Sequence, residues 1–349
     1  MKMISRSVAA IVAGALIIFG SGVGARAQQS GQSKPAPGFS FRTSVELINV
    51  TATVTDAQGR FVPGLTVDDF QVYEDGKLQK ISQFDSERVP VSLGIVMDTS
   101  GSMAGEKMSS AQSAVRRFLD ELLGPQDEVF LMRFDSRVNV LSNWTENRAA
   151  VSRMVGSIRP TGGTALYDAV SDAVPLGEQG TRRKKALVLL SDGNDQDSRT
   201  DVDTVQRQIR ESELLVYAIG IDTQHETLSQ AIPRIILQWP RPGSGSSRPP
   251  VGRSSAGERL NVGVLRSITD DSGGRTEIIR DARDIDAATA GIASELSRQY
   301  FLGYSTSSPR DGRWHTIDVR LKRGNYTVRA RKGFIAEAAQ GAPIRQGAN

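Results

Sequence analysis

The sequence predicts an α/β fold, a doubly wound and mostly parallel sheet inserted into a small β-sandwich formed by both chain ends. Three observations lead to it. Residues 91–97, 129–134, 186–190 and 214–221 are short, nearly continuous apolar runs, the pattern of strands buried on both faces of a parallel sheet. Amphipathic helical stretches alternate with them, the rhythm of an open α/β sheet. On either side, residues 39–86 and 300–336 return to strand patterns, and a block of roughly 50 residues is too small to bury a core alone.

Taken in order, residues 1–7 carry Lys2 and Arg6, residues 8–23 are apolar or small, and Gly24-Ala25-Arg26-Ala27 offers small side chains at −3 and −1. This three-part pattern is that of a secretory signal peptide cleaved after Ala27. The apolar run of 16 residues falls short of the ~20 that cross a bilayer, so no stable span is expected after cleavage. No cysteine follows for a lipid anchor. The mature protein is expected in the periplasm or outside the cell. Residues 28–38, polar with Pro and Gly, read as a flexible tether.

Residues 45–54 alternate as a half-buried strand, Asp56-Ala57-Gln58-Gly59-Arg60 makes a turn, and Glu74-Asp75-Gly76 joins residues 70–73 and 78–81 as a hairpin. The domain over 91–299 follows. Met108, Ala111, Val115, Phe118, Leu119 and Leu122 mark its first helix, stopped by Gly124-Pro125. Val151, Met154, Val155 and Ile158 mark a second, Val202, Val205 and Ile209 a third, and Ile285, Ala288, Ile292 and Leu296 the last. Residues 233–257, rich in Pro, Gly, Ser and Arg, read as a flexible insertion. Strand patterns at 299–304, 314–322 and 326–331 complete the sandwich, and 337–349 reads as a disordered tail.

Composition excludes several functions. With no cysteine there is no disulfide framework, thiolate metal site or cysteine nucleophile. His225 and His315, the two histidines, read as ordinary surface residues and leave little room for a triad. Residues 1–27 hold Lys2, Arg6 and Arg26 and no acid, so 40 basic residues face 39 acidic ones in the mature chain. That balance gives no general attraction to nucleic acid. Arg182-Arg183-Lys184-Lys185 reads as a solvated strand entrance.

The chemistry sits at strand ends, where open α/β sheets bind ligands. The first buried strand runs into Asp98-Thr99-Ser100-Gly101-Ser102, whose carboxylate and hydroxyls suit a hard, oxygen-seeking cation. Thr161-Gly162-Gly163-Thr164 places a hydroxyl before a helix, and Ser191-Asp192-Gly193 a carboxylate at another strand end. Singly, each is more often a helix cap. Asp168 reads as part of the helix start after Thr164, and the run Asp192 to Asp197 as a solvated acidic loop, since it lacks the central Gly and final Glu of an EF-hand. There is no Gly-x-Ser-x-Gly elbow and no phosphate loop.

Together, over about residues 91–299, these motifs resemble the metal-ion-dependent adhesion site of von Willebrand factor type A domains. With Val54-Thr55-Asp56-Ala57-Gln58-Gly59-Arg60, Asp69-Phe70-Gln71-Val72-Tyr73-Glu74-Asp75-Gly76 and Leu302-Gly303-Tyr304, the whole chain is similar to the secreted bacterial group of such proteins typical of Acidobacteria. The resemblance implies that Ser100 and Ser102 ligate Mg²⁺, with Mn²⁺ or Ca²⁺ as substitutes, through their hydroxyls. It implies that Thr164 ligates directly in a ligand-engaged state, and that Asp98 and Asp192 act mainly through bound waters. Neutral hydroxyls leave the cation's charge partly compensated, so an open position attracts an Asp or Glu carboxylate of a partner protein. The Asp98 carboxylate is expected to point into a solvent-filled crevice. The expected function is thus an exported, Mg²⁺-dependent protein-binding module for adhesion or assembly, not an enzyme. The alternatives are a metal-independent envelope scaffold and a metal-dependent hydrolase, the latter opposed by the absence of a poised base.

Overall fold

A computed structural model describes residues 46–221 and 261–336. The expected signal segment, tether, 233–257 insertion and 337–349 tail, and also His225, lie outside the described residues. No helix among the described residues is long and apolar enough to cross a membrane.

The central sheet has six strands: β5 (Val91–Asp98), β6 (Glu128–Phe134), β7 (Val138–Thr145), β8 (Lys184–Ser191), β9 (Leu215–Ile221) and β10 (Thr276–Ile279), in the order β10-β9-β8-β5-β6-β7. All neighbours pair in parallel except β7, which returns antiparallel along β6. β5 is buried over its whole length, which explains its unbroken apolar pattern. Its side chains alternate between two cores. Leu93, Ile95 and Met97 face α1 (Glu106–Arg117), α2 (Arg148–Ser157) and α6 (Ile285–Ser297). Val96 joins Phe130, Met132 and Phe134 against α3 (Leu166–Glu178), α4 (Val202–Glu211) and α5 (Val262–Thr269). The first helix continues past α1 as a π-helical turn over Phe118–Leu122 before Gly124.

Two four-stranded sheets share the third core. One is β13-β1-β11-β4, from β1 (Glu46–Thr55), β4 (Ile81–Asp85), β11 (Tyr300–Thr306) and β13 (Thr327–Arg329). The other is β14-β12-β2-β3, from β2 (Phe70–Glu74), β3 (Lys77–Gln79), β12 (Trp314–Leu321) and β14 (Gly333–Ile335). Ile48, Val50 and Val54 of β1, Phe70 and Val72 of β2, and Leu302, Tyr304, Ile317 and Val319 from the other chain end meet in one cluster. The sandwich is therefore built by both ends, with the α/β unit inserted between them. The hairpin turn at Asp75-Gly76 has φ of +47° and +75°, a left-handed pair that the right-handed twist of the strands favours. The expected strand 78–81 is divided at Lys80, where the chain leaves β3 in one sheet and enters β4 in the other.

The two units are joined by a polar cluster under α6. Glu295 accepts hydrogen bonds from Thr53 Oγ1 at 3.2 Å and Tyr217 OH at 2.9 Å, and pairs with Arg275 and Arg329. One expectation is corrected nearby. Lys184, read as solvated, is almost completely buried, because its Nζ donates to the Leu296 carbonyl at the end of α6 at 2.7 Å. Burial pushes its pKa down to about 8.

Candidate metal centre

The five residues singled out from the sequence lie on three loops at the carboxyl end of the parallel sheet, and backbone hydrogen bonds stitch these loops together. Thr161 donates to the Thr99 carbonyl at 2.7 Å and Gly101 to Gly162 at 3.0 Å, which fastens the second loop to the first. Gly162 adopts φ +73°, the left-handed backbone that glycine tolerates there. The Thr164 carbonyl accepts the N–H groups of Gln196 and Asp197 at 2.9 and 3.0 Å, which fastens the third loop to the second.

Asp98 is fully buried, not in a solvent-filled crevice as expected. Two donors make that burial tolerable: the Ser100 N–H meets its Oδ1 at 2.9 Å, and the Ser191 hydroxyl meets its Oδ2 at 2.6 Å. Burial pushes its pKa up to about 6, and neighbouring Asp192 adds to the shift, while Ser100 and Ser191 oppose it. Ser191 was not singled out from the sequence; the signal available was its position at the end of β8, directly before Asp192.

Ser100 is buried and Ser102 exposed, with their hydroxyl oxygens 3.0 Å apart. An octahedral Mg²⁺ with ligands at about 2.0–2.1 Å sets neighbouring ligand oxygens about 2.9 Å apart, so the pair has the required bite. Thr164 and Asp192 are also buried, and Asp192 Oδ1 has no hydrogen-bond partner. A buried carboxylate oxygen without a donor is costly unless a cation or water satisfies it. The donor set, three neutral hydroxyls and two carboxylates, is all oxygen and fits Mg²⁺ or Mn²⁺. Lys107 of α1, another residue that sequence reasoning missed, holds its Nζ 3.6 Å from Asp192 Oδ2. It brings a competing positive charge to the same carboxylate.

Asp168 stands in the first turn of α3, at the helix start expected from the sequence, and its carboxylate ties the following loop to that turn. Its carboxylate accepts the N–H groups of Arg199 at 3.1 Å and Thr200 at 2.9 Å. Burial pushes its pKa up, but these hydrogen bonds outweigh it and hold the carboxyl below the ordinary range. The acidic loop closes onto the same helix start, with Asp195 Oδ1 accepting from the Ser198 hydroxyl at 2.5 Å and from the Tyr167 N–H at 3.3 Å.

The family model described as von Willebrand factor type A domain matches residues 93–194. Among curated proteins the chain is similar to inter-alpha-trypsin inhibitor heavy chain H4 of Sus scrofa, 29% identical over 147 residues that cover 39% of this chain and 15% of that protein. It is also similar to an uncharacterized protein of Synechocystis sp., 27% identical over 117 residues, or 33% of this chain and 28% of that one. The chain thus spans only a small part of the length of these relatives. Among solved structures, von Willebrand factor type A from Catenulispora acidiphila aligns over 86% of this chain and 76% of that one, at 15% identity and a TM-score of 0.46. The stretch that the family model matches runs from β5 to the loop after β8 and contains all five candidate residues; this segment of the chain is a von Willebrand factor type A domain.

Proposed function

We propose that this chain is an exported protein-binding module whose strand-end site, formed by Asp98, Ser100, Ser102, Thr164 and Asp192, takes Mg²⁺ and engages an Asp or Glu carboxylate of a partner protein. Von Willebrand factor type A domains are typically protein-interaction and adhesion modules, and the signal-like residues 1–27 support export. Two observations carry the reading: the Ser100 and Ser102 hydroxyls lie 3.0 Å apart, and the buried Asp192 Oδ1 has no donor.

When bound, the ion supplies a positive charge that the neutral hydroxyls leave only partly compensated. The chain's own residues do the rest. Asp98 anchors the serine loop through the Ser100 amide and locks it to β8 through Ser191. Thr164 stands on a loop whose backbone is fixed from both sides, through Thr99 and Gly101 on one and Gln196 and Asp197 on the other. That preorganisation lowers the ordering cost of binding.

The test is capture of partners from an envelope extract by immobilised mature chain, in Mg²⁺ and in EDTA, beside Ser102→Ala and Thr164→Ala. Ser102 is exposed, so its variant keeps the fold, whereas Asp98→Ala strips acceptors from two donors and destabilises the chain as well. Mg²⁺-dependent capture that both variants lose supports the reading. Capture that persists in EDTA and in both variants would remove the metal from the mechanism and make the chain a metal-independent scaffold.

A further inference from the structure

We propose that Glu74, Asp75 and His315 form a second divalent-cation site, in the β-sandwich, suited to a borderline first-row ion with Zn²⁺ as the best match. One ligand atom from each of the three lies within 4.8 Å of the others, a grouping of carboxylate and imidazole ligands distinct from the strand-end site.

The hairpin turn and β12 build this cluster. Asp75 takes the left-handed position of the turn, and its Oδ1 accepts the Thr316 N–H at 2.8 Å and the Thr316 hydroxyl at 3.1 Å. That leaves Oδ2, which lies 2.7 Å from His315 Nδ1. Glu74 is 2% exposed. Its Oε1 accepts the hydroxyls of Thr306, at 2.7 Å, and Ser308, while its Oε2 is buried without a hydrogen-bond partner. Each carboxylate therefore has one oxygen fixed by short hydrogen bonds from backbone or hydroxyl donors. The nearby Tyr304 hydroxyl is buried too; burial first, then the Glu74 charge and a hydrogen-bonding contact with its carboxylate, disfavour its ionisation.

His315 is not the surface residue expected from the sequence. It is 7% exposed and stacks on Phe334 at 5.4 Å, which fixes the plane of its ring. Its Nε2 lies 3.4 Å from Asp311 Oδ1. A metal-bound histidine commonly donates its other ring N–H to a carboxylate, and Asp311 is placed to accept it, freeing the Nδ1 lone pair for the ion. Asp75 and Asp311 are partly exposed, so an ion can enter from solvent. One imidazole nitrogen with two carboxylates favours Zn²⁺ over Ca²⁺ or Mg²⁺, which prefer oxygen alone. In the rival arrangement a protonated His315 bridges Asp75 and Asp311 and no ion is bound.

The experiment is calorimetric titration of the mature chain with Zn²⁺, in millimolar Mg²⁺ so that the strand-end site is held by the harder ion. One Zn²⁺ per chain is expected, with an accompanying rise in melting temperature. His315→Gln should abolish binding, and Asp311→Asn should weaken it about 10–100-fold. Ser102→Ala should bind Zn²⁺ as the wild type does, which separates this site from the first. Asp311 is exposed enough that its variant tests the proposal even if His315→Gln fails to fold. Absence of stoichiometric binding, or Zn²⁺ affinity unchanged by Asp311→Asn and by a folded His315→Gln, would overturn the proposal.

Discussion

Adding one methyl group to β5 at Gly94 is expected to destabilise the protein measurably. A Cβ built there stands 2.3 Å from Phe130 Cζ of β6 and 2.4 Å from Leu187 Cδ2 of β8. Ordinary carbon contacts lie near 3.5–4.0 Å, so the overlap is more than about 1 Å on two sides at once. Neither neighbour can swing away freely. Phe130 is fully buried, with its ring held edge-on to Trp144 at a centroid distance of 4.8 Å, and Leu187 is buried in the same cluster. Overpacking of this kind costs about 1–3 kcal/mol. For a domain of this size that is a fall in Tm of about 2–10 °C. Calorimetric melting of Gly94→Ala in EDTA reads the effect without any contribution from bound ions. Leu187→Val, which removes the clashing Cδ2, should restore part of the loss in the double variant. A melting temperature for Gly94→Ala equal to that of the wild type would refute the placement of β5 between β6 and β8 at this register.

Three further outcomes follow from the same structure. Lys107→Met removes the ammonium group beside Asp192 and should raise Mg²⁺ affinity several-fold by calorimetry, because the charges repel across a partly buried site; unchanged or weaker binding contradicts this. Folded Lys184 loses its proton near pH 8, chiefly through burial, while the unfolded side chain keeps it to about 10.5, so the native state binds fewer protons in that window. Urea unfolding should therefore show wild type gaining on Lys184→Met as pH rises from about 8 to 10.5, and a flat or falling difference would contradict the assignment. Deleting residues 300–349 strips β1 of β11 and β13 and β2 of β12, so limited proteolysis should cut within residues 46–85; resistance of that segment would show a self-sufficient N-terminal unit.

What could be read from the sequence depended on how completely each segment is buried. β5, β6, β8 and β9 are covered on both faces, and their short, nearly unbroken apolar runs carry that burial in the sequence. β7 escaped notice because it is a half-exposed edge strand, and irregular register against β6 breaks its alternation. β10 has only four residues, and α5 begins directly after a Pro- and Gly-rich stretch. The five candidate residues stand out in the sequence because Asp98, Ser100, Ser102 and Asp192 follow apolar strands β5 and β8, and Thr164 sits in a Gly-rich turn directly before α3. Long-range partners were not. Nothing near Asp98 in sequence reveals Ser191, 93 residues away, and nothing near His315 reveals Asp75, 240 residues away. Both residues were consequently assigned more solvent than they have. Lys184 was misjudged for the same reason, since its acceptor is the end of a helix 112 residues later.

The central claim is that the strand-end residues hold a divalent cation. The most direct measurement is the anomalous scattering of crystals of the mature chain grown with Mn²⁺. One Mn²⁺ peak is expected at the Ser100 and Ser102 hydroxyls, absent from crystals of Ser102→Ala prepared in the same way. Crystals of the wild type with no anomalous peak at those two hydroxyls would contradict it.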